Sequence, residues 1–196
     1  LRQNLPYVIY GGVRFYERLE IKNVLAYLRL IVNRNDNAAF ERSIGAPTRG
    51  IGEKTLEQIR AYSQKNDLSL FQSCKGLVKD GGLNGKAAKS LDSFCDFIET
   101  CAEIIHELPS DEFVEKVINQ SGLIDHHMKE KGEKGRIRIE NINELISAVK
   151  SFEIINKNED LSEYDSFIAA FLSSVSLDMG ETQASKTDDA VQLMTM

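Results

Sequence analysis

Apolar residues at Ile21, Val24, Leu25, Leu28, Ile31 and Val32 recur with the three- and four-residue spacing of an amphipathic helix, which Asn33-Arg34-Asn35-Asp36 ends. Ala38 to Ile44 predicts a short helix with Phe40 and Ile44 on one side, broken by Gly45 and Pro47. The helical pattern resumes at Lys54, with Leu56 and Ile59 inward, as far as Gln64. Gly76, Gly81, Gly82 and Gly85 then make the stretch up to Lys86 read as a flexible surface loop. A continuous stripe of Leu91, Phe94, Cys95, Ile98, Cys101, Ala102 and Ile105 follows, placing two cysteines in a core, and Pro109 ends it. Further helices are signalled by Phe113, Val114, Val117 and Ile118; by Ile139, Ile142, Leu145, Ile146 and Val149; and by Tyr164, Phe167, Ile168, Phe171, Leu172 and Val175. Asp178 to Asp189 is polar and aperiodic and reads as a linker.

Strand patterns occur at the two ends. Tyr7, Val8, Ile9 and Tyr10 cluster before Gly11-Gly12, and Ala190 to Met196 is apolar on alternate sides. Two such strands cannot make a stable sheet alone. The expectation is a mainly α chain whose helical body is inserted between two strands of a sheet completed elsewhere. The start at Leu1 and the stop at Met196 inside an apolar stretch read as the ends of a piece cut from something longer.

Composition changes this picture little. The 196 residues are 42% hydrophobic and 28% charged, an ordinary globular balance, and the formal net charge of −6 argues against a uniformly basic coat. The charge is uneven: residues 1–60 carry ten Lys/Arg against six Asp/Glu, whereas residues 150–196 carry three against nine. Cys74, Cys95 and Cys101 are an odd set without CxxC spacing, which fits a reducing compartment rather than a disulfide or zinc framework. No apolar run is long enough for a membrane span, and the N-terminus lacks a signal-peptide pattern.

Enzymatic signatures are missing. Around Gly85-Lys86, Asp80 stands where a P-loop needs its first Gly and Ala87 where it needs a hydroxyl, so no nucleotide-hydrolysis site is encoded. Gly50/Gly52 has Thr55 in place of a third glycine and does not follow a strand, which argues against a dinucleotide fold. His106, His126 and His127 lack ligand spacing and are expected as surface or loop residues; no metal site is expected. Asp111/Glu112 and Asp188/Asp189 sit where helix starts and linkers place acids.

Three segments are candidates for binding. Thr48-Arg49-Gly50-Ile51-Gly52-Glu53-Lys54-Thr55 lies between two helices, where a Gly-apolar-Gly turn presents backbone N–H groups and a helix N-terminus to one point, the chemistry of a phosphate site. Arg49 and Lys54 add charge, Thr48 or Thr55 a hydroxyl, and Ile51 plugs the turn into the core; a plain glycine-rich turn accounts for the same residues without DNA. In the second, Arg14, Phe15, Tyr16 and Arg18 alternate aromatic and basic residues, as single-strand stacking requires, though a helix cap with Phe15 in the core is the equal alternative. The third, Lys129 to Arg138, holds five basic and two acidic residues around two glycines. It is by default a solvated basic loop, with duplex backbone contact by Lys131, Lys134 and Arg136 as the sharper reading.

Taken in order, PYVIYGGVRFYERLEIKNVLAYLRLI, NRNDNAAFERSIGAPTRGIGEKTLEQI, EKGEKGRIRIENINEL and DAVQLMTM resemble the bacterial UvrD-type DNA helicases of superfamily one, the group of UvrD, PcrA and Rep. The resemblance runs over essentially the whole chain, with residues 76–112 matching poorly. It implies that residues 1–36 and 186–196 belong to the second RecA-like motor domain, 2A. Residues 37–185 would form the helical 2B insertion, with a helix-hairpin-helix-like GIG motif. It implies duplex contact by Thr48, Arg49, Gly50, Ile51, Gly52, Lys54 and Thr55, and single-strand contact or motor coupling by Arg14, Tyr16 and Arg18. Hinges would lie near Asn33–Asp36 and Asp178–Asp189.

The parent would be an ATP-dependent 3′-to-5′ helicase of excision and mismatch repair, cytoplasmic and nucleoid-associated. ATP and Mg would bind outside these residues, so this chain alone would have no catalytic activity. Its partners would be DNA junctions, the motor domains and repair proteins. A protein-interaction module that recruits repair partners without binding DNA is the alternative.

Overall fold

The computed structural model describes residues 7–10, 15–184 and 191–194. A strand β1 (Tyr7–Tyr10) and a short 3-10 turn (Phe15–Glu17) precede helices α1 (Leu19–Val32), α2 (Asn37–Gly45), α3 (Glu53–Asn66), α4 (Leu70–Lys79) and α5 (Gly85–Glu103). There follow α6 (Ser110–Ser121), α7 (Leu123–Met128), α8 (Glu133–Ile155), α9 (Phe167–Ala184) and strand β2 (Val191–Met194). β1 and β2 pair in parallel, Tyr7 opposite Val191 and Tyr10 opposite Met194. Parallel strands need a long crossover. Here the whole helical body lies between them in sequence.

α1 is the axis of that body. Its residues Ile21, Val24, Leu25, Tyr27, Leu28, Leu30 and Ile31 are all buried, so the helix is apolar almost all round and packs against α2, α5, α6, α8 and α9. Its two buried polar groups are satisfied: Asn23 accepts from Arg42 Nη1 at 3.0 Å, and Glu20 accepts from Asn141 Nδ2 at 2.6 Å. α2 begins where Asp36 caps the Ala39 N–H at 2.9 Å.

Four expectations are corrected. The glycine-rich stretch after Gly76 is helical as far as Lys79, because Ser69 and Gln72 form a capping box and Leu70, Phe71, Cys74 and Leu77 give α4 a buried stripe. Gly76 serves close packing there, since a Cβ would stand 2.9 Å from the Tyr62 hydroxyl. The basic run is not a loop throughout: α8 starts at Glu133, and a Cβ on Gly135 would meet the His127 carbonyl oxygen at 2.2 Å. That glycine lets α8 approach the α7 backbone and is no sign of flexibility. His127 is buried rather than a surface or loop residue. Finally, α9 continues to Ala184 through the expected linker, because a helix already nucleated extends cheaply through residues such as Leu177, Met179 and Glu181. Residues 185–190 of that linker lie outside the described residues.

All three cysteines are buried, Cys74 with Cys95 and Cys101. The Cys95 thiol donates to the Cys74 sulfur at 3.4 Å; that contact, then burial, pushes its pKa up, while burial pushes Cys101 up to about 11. The Cys95 and Cys101 thiols are protonated core groups. No helix among the described residues is long and apolar enough to cross a membrane.

Candidate nucleic-acid interface

The segment from Ala46 to Gly52 joins α2 to α3 as a tight hairpin that begins with a cis Ala46–Pro47 bond. Gly50 sits at φ +72°, a left-handed conformation that only glycine adopts without strain. α3 then starts at Glu53 with Gly52 as its N-cap and no side-chain cap, while the Thr55 and Leu56 N–H groups turn back to the Gly52 carbonyl at 3.0 and 3.2 Å. Thr48, Gly50, Gly52 and Lys54 are exposed, Thr55 is half-buried, and Ile51 packs its side chain against the core. Among the described residues a Cβ on Gly50 or Gly52 would meet nothing within 4 Å, so the outer side of the turn is open to them.

Arg49 is turned inward. Its Nη1 donates to the Ser43 and Pro47 carbonyls at 3.1 and 2.9 Å, and its Nη2 to the Tyr27 hydroxyl and the Ser121 carbonyl at 2.5 and 2.9 Å. The guanidinium also lies over the rings of Tyr27 and Phe94, at 5.6 and 5.2 Å from their centroids. One planar fork thus ties the end of α2, the hairpin, α1 and the end of α6 together. Tyr27 completes the arrangement, with its hydroxyl 2.7 Å from the Ser43 carbonyl and 2.8 Å from that of Ala46. Burial pushes the Tyr27 phenol up to about 12, partly offset by Arg49, so the hydroxyl stays neutral and can both donate and accept. The hairpin rests on a second turn: a Cβ on Gly122, at φ +80°, would touch Pro47 Cγ at 3.6 Å. Neither Tyr27 nor Ser121 stood out in the sequence, where one reads as a core aromatic and the other as a helix end.

Arg14 lies outside the described residues. Tyr16 is half-buried and meets Phe171 edge-on at 6.4 Å between centroids, so its ring faces the core. Arg18 stacks over Phe15 at 5.5 Å and donates to Asn141 Oδ1. From Asn141 a polar chain continues to Glu20, to Arg138 at 3.8 Å, to Glu130 at 2.6 Å and to His127 at 2.6 Å. The head of α1 is in this way wired to α7 and α8. His127, then Arg138, holds the Glu130 carboxyl below the usual carboxylate range.

Lys131 and Lys134 are exposed at the head of α8, and Arg136 faces Glu133 and Glu140 at 3.5 Å each. His126, His127 and Glu130 bring donor atoms within 4.8 Å of one another, but Glu130 already accepts from the Arg138 guanidinium and bonds the His127 ring. The cluster is built as an ion-pair node. His127 Nε2 has no hydrogen-bond partner among the described residues.

A family model described as the UvrD-like helicase C-terminal domain matches residues 1–196. DNA helicase II of Escherichia coli K12 is 46% identical over the whole chain, which covers 27% of that protein, and DNA helicase II of Haemophilus influenzae is 42% identical, with 26% covered. ATP-dependent DNA helicase PcrA of Bacillus subtilis is 36% identical, again with 26% covered. The chain spans about a quarter of the length of these curated relatives.

Proposed function

The chain belongs to the UvrD-like helicase C-terminal domain family, and from that premise we propose that residues 37–185 are a 2B-type subdomain that grips duplex DNA and regulates a 3′-to-5′ helicase. The hairpin of Thr48 to Thr55, of helix-hairpin-helix type, is the duplex contact. The observation that carries this reading is its construction: an open, glycine-bounded turn at an uncapped helix start, held in shape by a guanidinium spent on its neighbours. Phosphate oxygens suit the backbone N–H groups, the Lys54 ammonium and the Thr48 or Thr55 hydroxyl. Arg49 then acts by shaping the turn. Lys131, Lys134 and Arg136 are outlying backbone contacts. Arg14, Tyr16 and Arg18 are the side that couples to the motor and its single strand.

On this reading β1 and β2 are strands of the 2A sheet, residues 1–36 and 186–196 its remnants, and the joint at Asn33–Asp36 a hinge. ATP and Mg belong to other parts of the parent, a bacterial cytoplasmic enzyme of excision and mismatch repair.

The test is fluorescence anisotropy of the chain against a duplex–single-strand junction, a blunt duplex and a single strand over a salt series. Salt-sensitive binding that favours duplex or junction, weakened in Lys54→Ala/Thr55→Ala, is expected. Binding that ignores salt and the hairpin variant would sink the reading. It would favour the second, a protein-recruiting module, which the exposed Ile154 and Ile155 at the end of α8 support, 66% and 76% accessible.

A further inference from the structure

Beside the hairpin, the first turns of α5 and the end of α6 enclose a cleft of about 450 Å³ that Arg49, Lys86, Lys89, Ser90, Ser93 and Gln120 line with polar groups over the Phe94 ring. No carboxylate among the described residues lines it. Lys86 and Lys89 are exposed and have no ion-pair partner among the described residues. Arg49 is bonded to four neutral oxygens and, among the described residues, to no acid, so its full charge stays uncompensated at the cleft wall. α5 adds to this field. It opens without a side-chain cap and without an acid in its first turn, and Lys86 stands where the helix dipole disfavours a cation unless an anion is near. Three cations from two elements, two hydroxyls and an amide therefore converge on one concave surface.

We propose that this cleft is a second phosphate subsite for the duplex held by the hairpin, an inference that rests on the hairpin reading above. Arg49 and Ser121 belong to both places: the Arg49–Ser121 bond fixes the hairpin and both residues line the cleft. A DNA backbone seated on the turn passes directly to Lys86 and Lys89, which hold phosphate oxygens by charge while Ser90 and Ser93 donate hydroxyl protons. None of these contacts reads a base. The subsite lengthens the grip and carries no sequence preference.

The experiment compares wild type, Lys86→Gln/Lys89→Gln and the hairpin variant Lys54→Ala/Thr55→Ala on one blunt duplex over a salt series. A second readout is mass-spectrometric mapping of lysine acetylation with and without duplex. Expected is a cleft variant with unchanged melting whose log affinity against log salt is shallower by about 1.8, from about 0.9 per lost phosphate contact. Lys86 and Lys89 become protected from acetylation by duplex, while Lys157 does not. A cleft variant that matches wild type, with the hairpin variant weakened, overturns the subsite alone; so does unprotected Lys86 and Lys89 in bound protein. A hairpin variant that matches wild type while the cleft variant loses affinity overturns the hairpin reading and leaves the cleft. Wild type that binds no duplex at low salt overturns both.

Discussion

At the hairpin the one guanidinium, Arg49, is surrounded by four neutral oxygens, whereas at the head of α8 both guanidiniums face carboxylates: Arg136 lies 3.5 Å from Glu133 and Glu140, and Arg138 lies 2.6 Å from Glu130. The two segments are both basic in sequence. Their fields differ because a carbonyl or hydroxyl dipole solvates a cation without cancelling its charge, while a carboxylate cancels it at any distance beyond the pair. The segment with fewer charges thus keeps more of its field for a ligand. A charge run measures solvation; partner chemistry decides binding.

The largest effect that would break this contrast is loss of the inward arginine. Arg49→Ala removes the guanidinium donors from the Ser43, Pro47 and Ser121 carbonyls and the Tyr27 hydroxyl together, and it should cost about 3 kcal/mol in chemical denaturation, with Arg49→Lys recovering little because an ammonium lacks the fork. A variant as stable as wild type would show that the guanidinium is not the staple. Next is the α7–α8 node. Because the folded-state pKa of Glu130 is lowered, its contribution is full above the ordinary value of 4.5 and fades as pH falls through the folded value. Melting of wild type and Glu130→Gln should therefore converge on acidification; a gap that stays constant with pH would refute the ion-pair role.

The glycines sharpen the comparison within the hairpin itself. Gly50→Ala forces a side chain into φ +72° and should cost about 1 kcal/mol. Gly52, at φ −91° with open space around it, should accept Ala with little change in melting yet lose duplex affinity, because the added methyl stands where a backbone phosphate would approach. Equal affinity in Gly52→Ala would remove the close-approach argument. The smallest effect is at Arg136, 71% exposed and loosely paired: Arg136→Ala should change stability by less than about 0.5 kcal/mol.

Much of the fold was legible because it depends on local periodicity. α1 and α2 follow their apolar stripes and caps closely, and the Cys95 and Cys101 stripe is buried as its spacing implies. Two of the failures were glycines. Gly76 and Gly135 read as breaks, yet each is a contact point between helices, information held by the partner residues Tyr62 and His127 and not by the local sequence. In the candidate site, the sequence marked Arg49, Gly50 and Gly52 but could not say which way Arg49 points.

What the sequence by itself determined is therefore the helical body, the glycine hairpin and the family likeness, all of which follow from residue type at short spacing. Tertiary structure alone decided that Arg49 is bonded to Ser121, 72 residues away, and that Lys86 and Lys89 stand beside it. Which charges stay free is set by long-range packing, because a cation's partner is chosen by proximity in the fold and not along the chain.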